Sequence, residues 1–212
     1  TQSLDQYDVP ATGWGARALW TPSLGNVEFG LGADLRATKG ETNERFTFVA
    51  GNPTRDRRAA AETLTAGLLA DARWTSGPVA LGAGVRLDRW TIRDGFLFER
   101  TIATGATLTD IPYPDRDGWQ PSLRAGIDWR ASDALALRAA AYRGWRLPTI
   151  NELVRPFRVG PDATAANAAL KPEVLVGAEI GADWRPVEPL RLSVTAYANR
   201  LDNAVANVTL AN

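Results

Sequence analysis

The sequence predicts an all-β chain: an antiparallel up-and-down transmembrane β-barrel segment of about eight strands. Three observations predict it. Apolar residues alternate strictly with polar residues and glycines over long stretches. A tryptophan recurs at strand ends, at positions 20, 74, 129 and 184, with spacings of 54, 55 and 55 residues. Short turns also alternate with long polar connections. Successive strand side chains point to opposite faces, so each segment has one oily and one wet face. A soluble sandwich shows this too. These segments, however, outrun the about 5–6 residues of a globular strand and reach the about 9–11 that a tilted membrane strand needs.

The first strand, about residues 13–21, ends on Trp20, and the turn Thr21-Pro22-Ser23-Leu24-Gly25-Asn26 follows. The second, 26–38, sets Val27, Phe29, Leu31, Ala33 and Leu35 against Glu28, Gly30, Gly32, Asp34 and Arg36. A polar connection over 39–58 leads to the third strand, 60–75, which closes on Trp74. Thr75-Ser76-Gly77-Pro78 turns into the fourth, 79–92, where Val79, Leu81, Ala83, Val85 and Leu87 oppose Arg86 and Asp88. After a second long connection, 93–118, the fifth strand (119–130) carries Leu123, Ala125, Ile127 and Trp129 on one face. The sixth is 135–145, followed by the third long connection, 146–171. The seventh, 173–185, ends near Trp184, and the eighth is 190–202. The repeat is short turn, strand, long loop, strand, tryptophan. Short periplasmic turns, longer outer loops and aromatic girdles characterise transmembrane barrels, and indole is stable where headgroups meet hydrocarbon. Trp20, Trp74, Trp129 and Trp184 are thus the expected membrane girdle. A soluble propeller also repeats every 40–50 residues or so, but without this asymmetry of long loops and short turns. Both ends of the chain fall on the long-loop side and no aromatic closing strand is seen, so the chain is expected to be part of a larger barrel.

Composition narrows the chemistry. The 212 residues carry 24 basic and 24 acidic side chains, and mean hydropathy is −0.20. With zero net charge, nothing points to nucleic acid. Cysteine and histidine are absent. Disulfides, thiolate metal sites and the usual general base are thereby excluded, so no enzyme, resident metal or cofactor is expected. No apolar run is long enough for a transmembrane helix, leaving a barrel as the only way to span. Asp110, Asp115 and Asp117 before Gly118 carry too few oxygen donors in register for a calcium loop.

The segment Tyr142-Arg143-Gly144-Trp145-Arg146-Leu147-Pro148-Thr149-Ile150-Asn151-Glu152-Leu153-Val154-Arg155-Pro156-Phe157-Arg158 resembles the signature loop of TonB-dependent outer-membrane receptors. Asn167-Ala168-Ala169-Leu170-Lys171-Pro172-Glu173 resembles the lead-in to that family's next strand, with Ala168 where the family usually has Pro. Trp145 likewise stands where the family usually has Phe. The resemblance is strong over about residues 139–210; the first half matches by strand pattern. The family-motif residues are Arg146, Pro148, Thr149, Asn151, Glu152, Leu153, Lys171, Pro172 and Glu173. The resemblance implies a barrel of about 22 strands with a plugged lumen, residues 1–212 being part of the barrel domain, with plug domain and C-terminal strands outside it. It also implies residence in the bacterial outer membrane, with the lipid bilayer, TonB (through a TonB box on the plug) and a scarce large solute as partners. A ferric siderophore is the first expectation for that solute. Residue by residue, Pro148 suits the start of a short helix over 149–154 with Glu152 early in it.

Expected solute contacts on the long loops are Phe96, Phe98, Tyr113, Trp145, Arg146, Arg155, Phe157 and Arg158, because aromatics beside cations suit an anionic or aromatic ligand. Arg86, Asp88, Trp90, Arg124, Arg138, Tyr142 and Arg191 are expected in the lumen, paired across strands. A passive porin-like channel shares the alternation and the girdle, and a soluble β-repeat binding module shares the alternation alone.

Overall fold

The computed structural model describes residues 4–159 and 162–206, and within them the side chains outside 157–163. Thirteen strands and one short helix follow one another: β1 Leu4–Asp8, β2 Ala11–Trp20, β3 Ser23–Leu24, β4 Val27–Val49, β5 Asn52–Ser76, β6 Val79–Thr101, β7 Thr107–Pro112, β8 Arg116–Arg130, β9 Leu135–Arg146, α1 Ile150–Val154, β10 Phe157–Val159, β11 Asp162–Thr164, β12 Glu173–Val187 and β13 Leu190–Asp202. All but β10 and β11 join one antiparallel sheet in the order β1-β4-β5-β6-β8-β9-β12-β13, with β2 and β3 also on β4 and β7 on β6. β1, β2 and β3 share one stave, as do β7 and β8, so the wall has the eight staves expected. No helix among the described residues is long and apolar enough to cross a membrane. The strands cross.

The two faces differ as the alternation requires. Leu31, Leu68, Val85, Leu123, Ile180 and Val194 are exposed together on the outer face. In a water-soluble fold such a continuous apolar surface is buried. The four girdle indoles lie on it at the short-turn end, exposed by 64% (Trp20), 39% (Trp74), 46% (Trp129) and 49% (Trp184). Trp14 and Trp119 mark the opposite border.

The inner face is polar and paired with itself. Arg86 bridges Asp34 and Asp88, Arg138 and Arg191 converge on Asp183, Arg124 stands 3.5 Å from Asp71, and the Tyr142 hydroxyl donates to Asn199. Large inner side chains lie over glycines directly opposite, such as Trp90 over Gly118 and Tyr142 over Gly177.

Two connections expected as loops are largely strand. β4 and β5 continue past the membrane border to a two-residue turn, Ala50-Gly51, with φ of 50° and 82°. Positive φ at both positions matches the twist of a tight hairpin. Beyond the membrane the outer face no longer meets lipid, so the hydrophobic period vanishes while the ladder persists. Residues 93–101 likewise prolong β6, after a bulge that sets β6 93–96 against β5 60–62 with Asp94 at φ 51°. The extra residue inverts the side-chain parity above it. Leu97 and Glu99 therefore face inward, and Phe96 and Phe98 outward.

Candidate functional site

The third long connection folds inward instead of reaching into solvent. Its anchor is α1. Thr149 caps the helix: its hydroxyl accepts from the Glu152 N–H at 3.3 Å, and the Glu152 carboxylate accepts from the Thr149 N–H at 2.6 Å. This reciprocal pair is a capping box and satisfies two backbone donors. Pro148 precedes the cap and is fully buried, so the helix begins one residue later than the proline suggests. Leu153 and Val154 then bury against Ala59, Ala61, Trp90, Ile92 and Leu97 of the inner wall, with Tyr113, Trp145, Leu147, Ile150 and Leu170 packed around them. Small residues on β5 leave the room that the helix fills. This is the apolar core of the described molecule.

Ionic contacts clamp both ends of the loop. At one end Arg146 donates to both Glu152 oxygens, at 3.0 and 3.1 Å, and to Glu173. Glu173 also accepts the Val205 N–H at 2.7 Å. Burial works to raise the Glu152 carboxyl, but the Arg146 and Thr149 hydrogen bonds outweigh it and hold the group below the usual carboxylate range. At the other end Arg155 donates to Glu44, which is 0% exposed and also receives Arg57 and Gln6. Arg57 further binds Glu99 at 2.6 Å and the Pro156 carbonyl at 2.8 Å. Two carboxylates thus meet two guanidiniums in a nearly dry site, where a balanced set with full hydrogen bonding is tolerated.

The expected contact residues fall into distinct places. Trp145 donates its indole N–H to Asp88 at 3.0 Å, and Asp88 is itself 2% exposed. Arg146 and Arg155 are committed to the clamps. Tyr113 is half-buried on the core, and burial raises its hydroxyl. Phe96 and Phe98 lie on the outer side of the extended sheet, with the Arg58 guanidinium 5.8 Å from the Phe96 ring centre. The side chains of Phe157 and Arg158 lie outside the described residues. Of the motif residues, Thr149, Glu152, Leu153, Arg146, Pro148, Pro172 and Glu173 build the loop, while Asn151 and Lys171 are exposed. Sequence reasoning missed Glu44, Arg57 and Glu99. Their even charge balance and distance in sequence hide them. No group of acidic side chains suited to a metal ion occurs among the described residues.

A concave space of about 1130 Å³ lies beneath the loop, lined among others by Asp34, Arg36, Thr65, Arg86, Asn151 and Arg146. A wet, charged inner wall with an inserted loop can hold a polar occupant and guide a solute past it.

No curated protein matches the sequence. Among solved structures, the ferric yersiniabactin uptake receptor FyuA from Yersinia pestis is similar over 95% of this chain and 30% of its own, at 15% identity and TM-score 0.64. The copper transporter OprC is similar over 90% of this chain and 29% of its own, at 19% identity and TM-score 0.66. The ferric-catecholate import receptor Fiu from E. coli K12 gives 91%, 31%, 13% and 0.60. At such identities the likeness shows the fold, and this chain spans about three-tenths of those proteins. The family described as TonB dependent receptor-like, beta-barrel matches residues 1–212. Barrels of that family belong to the bacterial outer membrane, and its structural neighbours are receptors and transporters. This chain belongs to the TonB-dependent receptor β-barrel family.

Proposed function

We propose that the protein containing this barrel segment resides in the outer membrane and takes up a scarce solute, first a ferric siderophore, in a TonB-coupled step. One observation carries the reading: the family match over residues 1–212 falls on a wall whose signature loop is docked inward. Likeness to the ferric yersiniabactin and ferric-catecholate receptors supports iron as the cargo metal, bound by the solute. The signature loop acts as scaffold here, with Trp145, Arg146 and Arg155 holding it to the wall. Phe96, Phe98, Tyr113, Phe157 and Arg158 are the proposed solute contacts. TonB acts through a plug domain outside this chain.

The test is growth under iron limitation with individual ferric siderophores, comparing wild type, a deletion of the whole gene, and a strain lacking TonB. Loss of growth on one siderophore in both mutants is expected. Retained growth of the deletion strain on every siderophore tried would overturn the cargo. Uptake that persists without TonB would instead indicate a passive pore.

A further inference from the structure

We propose that the barrel wall contains a lateral seam between β8 and β9, and that Arg143 is the residue that keeps it shut against lipid. The β8–β9 ladder runs from Arg130 opposite Ala136 to Leu123 opposite Arg143 and stops. β8 nevertheless continues along β6 as far as Arg116, and β9 continues along β12 as far as Arg146. Residues 116–122 therefore have no strand on their β9 side among the described residues, an open edge of roughly 20 Å at about 3.3 Å per residue.

The cause is local. The Arg130 N–H donates to the Pro78 carbonyl, on the β6 side. Strand alternation then turns even-numbered β8 groups toward β6 and odd-numbered ones toward β9. Pro121 is a residue whose N–H is required by β9, and proline has none. Its carbonyl is left facing the gap. The guanidinium of Arg143 enters there, with Nη1 donating to the Pro121 carbonyl and Nη2 to Gln120 Oε1 at 3.0 Å. A planar fork with several donors suits a gap that needs more than one acceptor filled.

Higher up, Arg116 donates to the Leu170 carbonyl at 2.9 Å and to that of Ala168, so the inserted loop backs the seam from inside. Trp119, exposed on the outer face, marks the membrane border. The Pro121–Leu123 end thus meets the acyl chains of the outer leaflet. The inner concavity reaches Ser122 on one side of the seam and Gly144 on the other. Along this stretch one side chain, in place of a hydrogen-bonded ladder, divides lipid from lumen.

The test uses the full-length receptor in lipid vesicles, with a nitroxide on Ser122→Cys, an inner-face position opposite Arg86. Collision with oxygen reports acyl chains, and collision with a water-soluble nickel chelate reports the lumen. Arg143→Gln is expected to raise oxygen accessibility severalfold, and Pro121→Ala in that background, by restoring the donor, to lower it again. A label on Thr65→Cys, on the inner face of β5, is expected to stay constant. Should Arg143→Gln fail to fold, judged by heat-modifiable migration, Gln120→Ala removes one acceptor and is expected to give a smaller rise. Unchanged oxygen accessibility at Ser122 in the folded variant, or in Gln120→Ala where only that folds, would overturn the seam.

Discussion

At the scale of single residues, the inner wall works by matching a large side chain to a glycine across the ladder. The Tyr142 ring lies over Gly177, and a Cβ there would stand 2.5 Å from the ring and 2.1 Å from Asn199 Oδ1. Gly177→Val is therefore expected to destabilise the barrel by about 1–3 kcal/mol, as overpacking does. Unfolding in detergent by denaturant checks it. Tyr142→Ala is expected to recover part of the loss, and strict additivity of the two substitutions would refute the contact. Glu44 is the second critical residue. Its removal strands Arg155, 15% exposed, and leaves Arg57, 11% exposed, to Glu99 alone among carboxylates. Glu44→Ala is expected to destabilise by about 3–5 kcal/mol, the range for breaking a buried pair. Protease cleavage within residues 146–171 is expected to appear in the same variant.

At the scale of elements, the inserted loop is a cap, a buried apolar face and two ionic clamps acting together. Its acid sensitivity follows from Glu152, held below its ordinary value in the folded state. A depressed folded-state pKa contributes stability that is present above the unfolded value, about 4.3 for glutamate, and is lost as pH falls through the folded one. Loop protection from protease is thus expected to hold from neutral pH down to about that unfolded value and to fail below it. Glu152→Gln is expected to weaken protection at neutral pH and flatten the acid dependence. An unchanged profile would remove Glu152 from the clamp. The hairpin tops teach a different lesson about elements. Residues 39–58 look like loop because charges stand on both faces, yet the ladder runs through them to Ala50-Gly51. Alternation of this kind reports lipid on one face and water on the other, and above the membrane the lipid is gone.

At the scale of the whole molecule, the decisive asymmetry is lipid outside and water inside. Ile180 and Glu179 are neighbours on β12 that face opposite ways. Ile180→Arg is expected to destabilise the barrel in lipid by about 2–4 kcal/mol, the range for a cation near the bilayer midplane. Glu179→Arg, in the wet lumen, is expected to cost less than about 1 kcal/mol. Urea unfolding from vesicles of matched thickness measures both, and equal penalties would contradict the assigned faces.

The strand alternation, the tryptophan girdle, the eight staves and the motif that resembles the receptor family are all legible in the sequence, because each is a local pattern. Val27–Leu35, Trp129 and Thr149–Glu152 could be placed from neighbours alone. The course of the long connections is set by contacts distant in sequence. Arg155 meets Glu44 across 111 positions of chain, and Trp145 meets Asp88 across 57. No period links such residues; only the closing of the sheet around an inserted loop brings them within hydrogen-bonding distance.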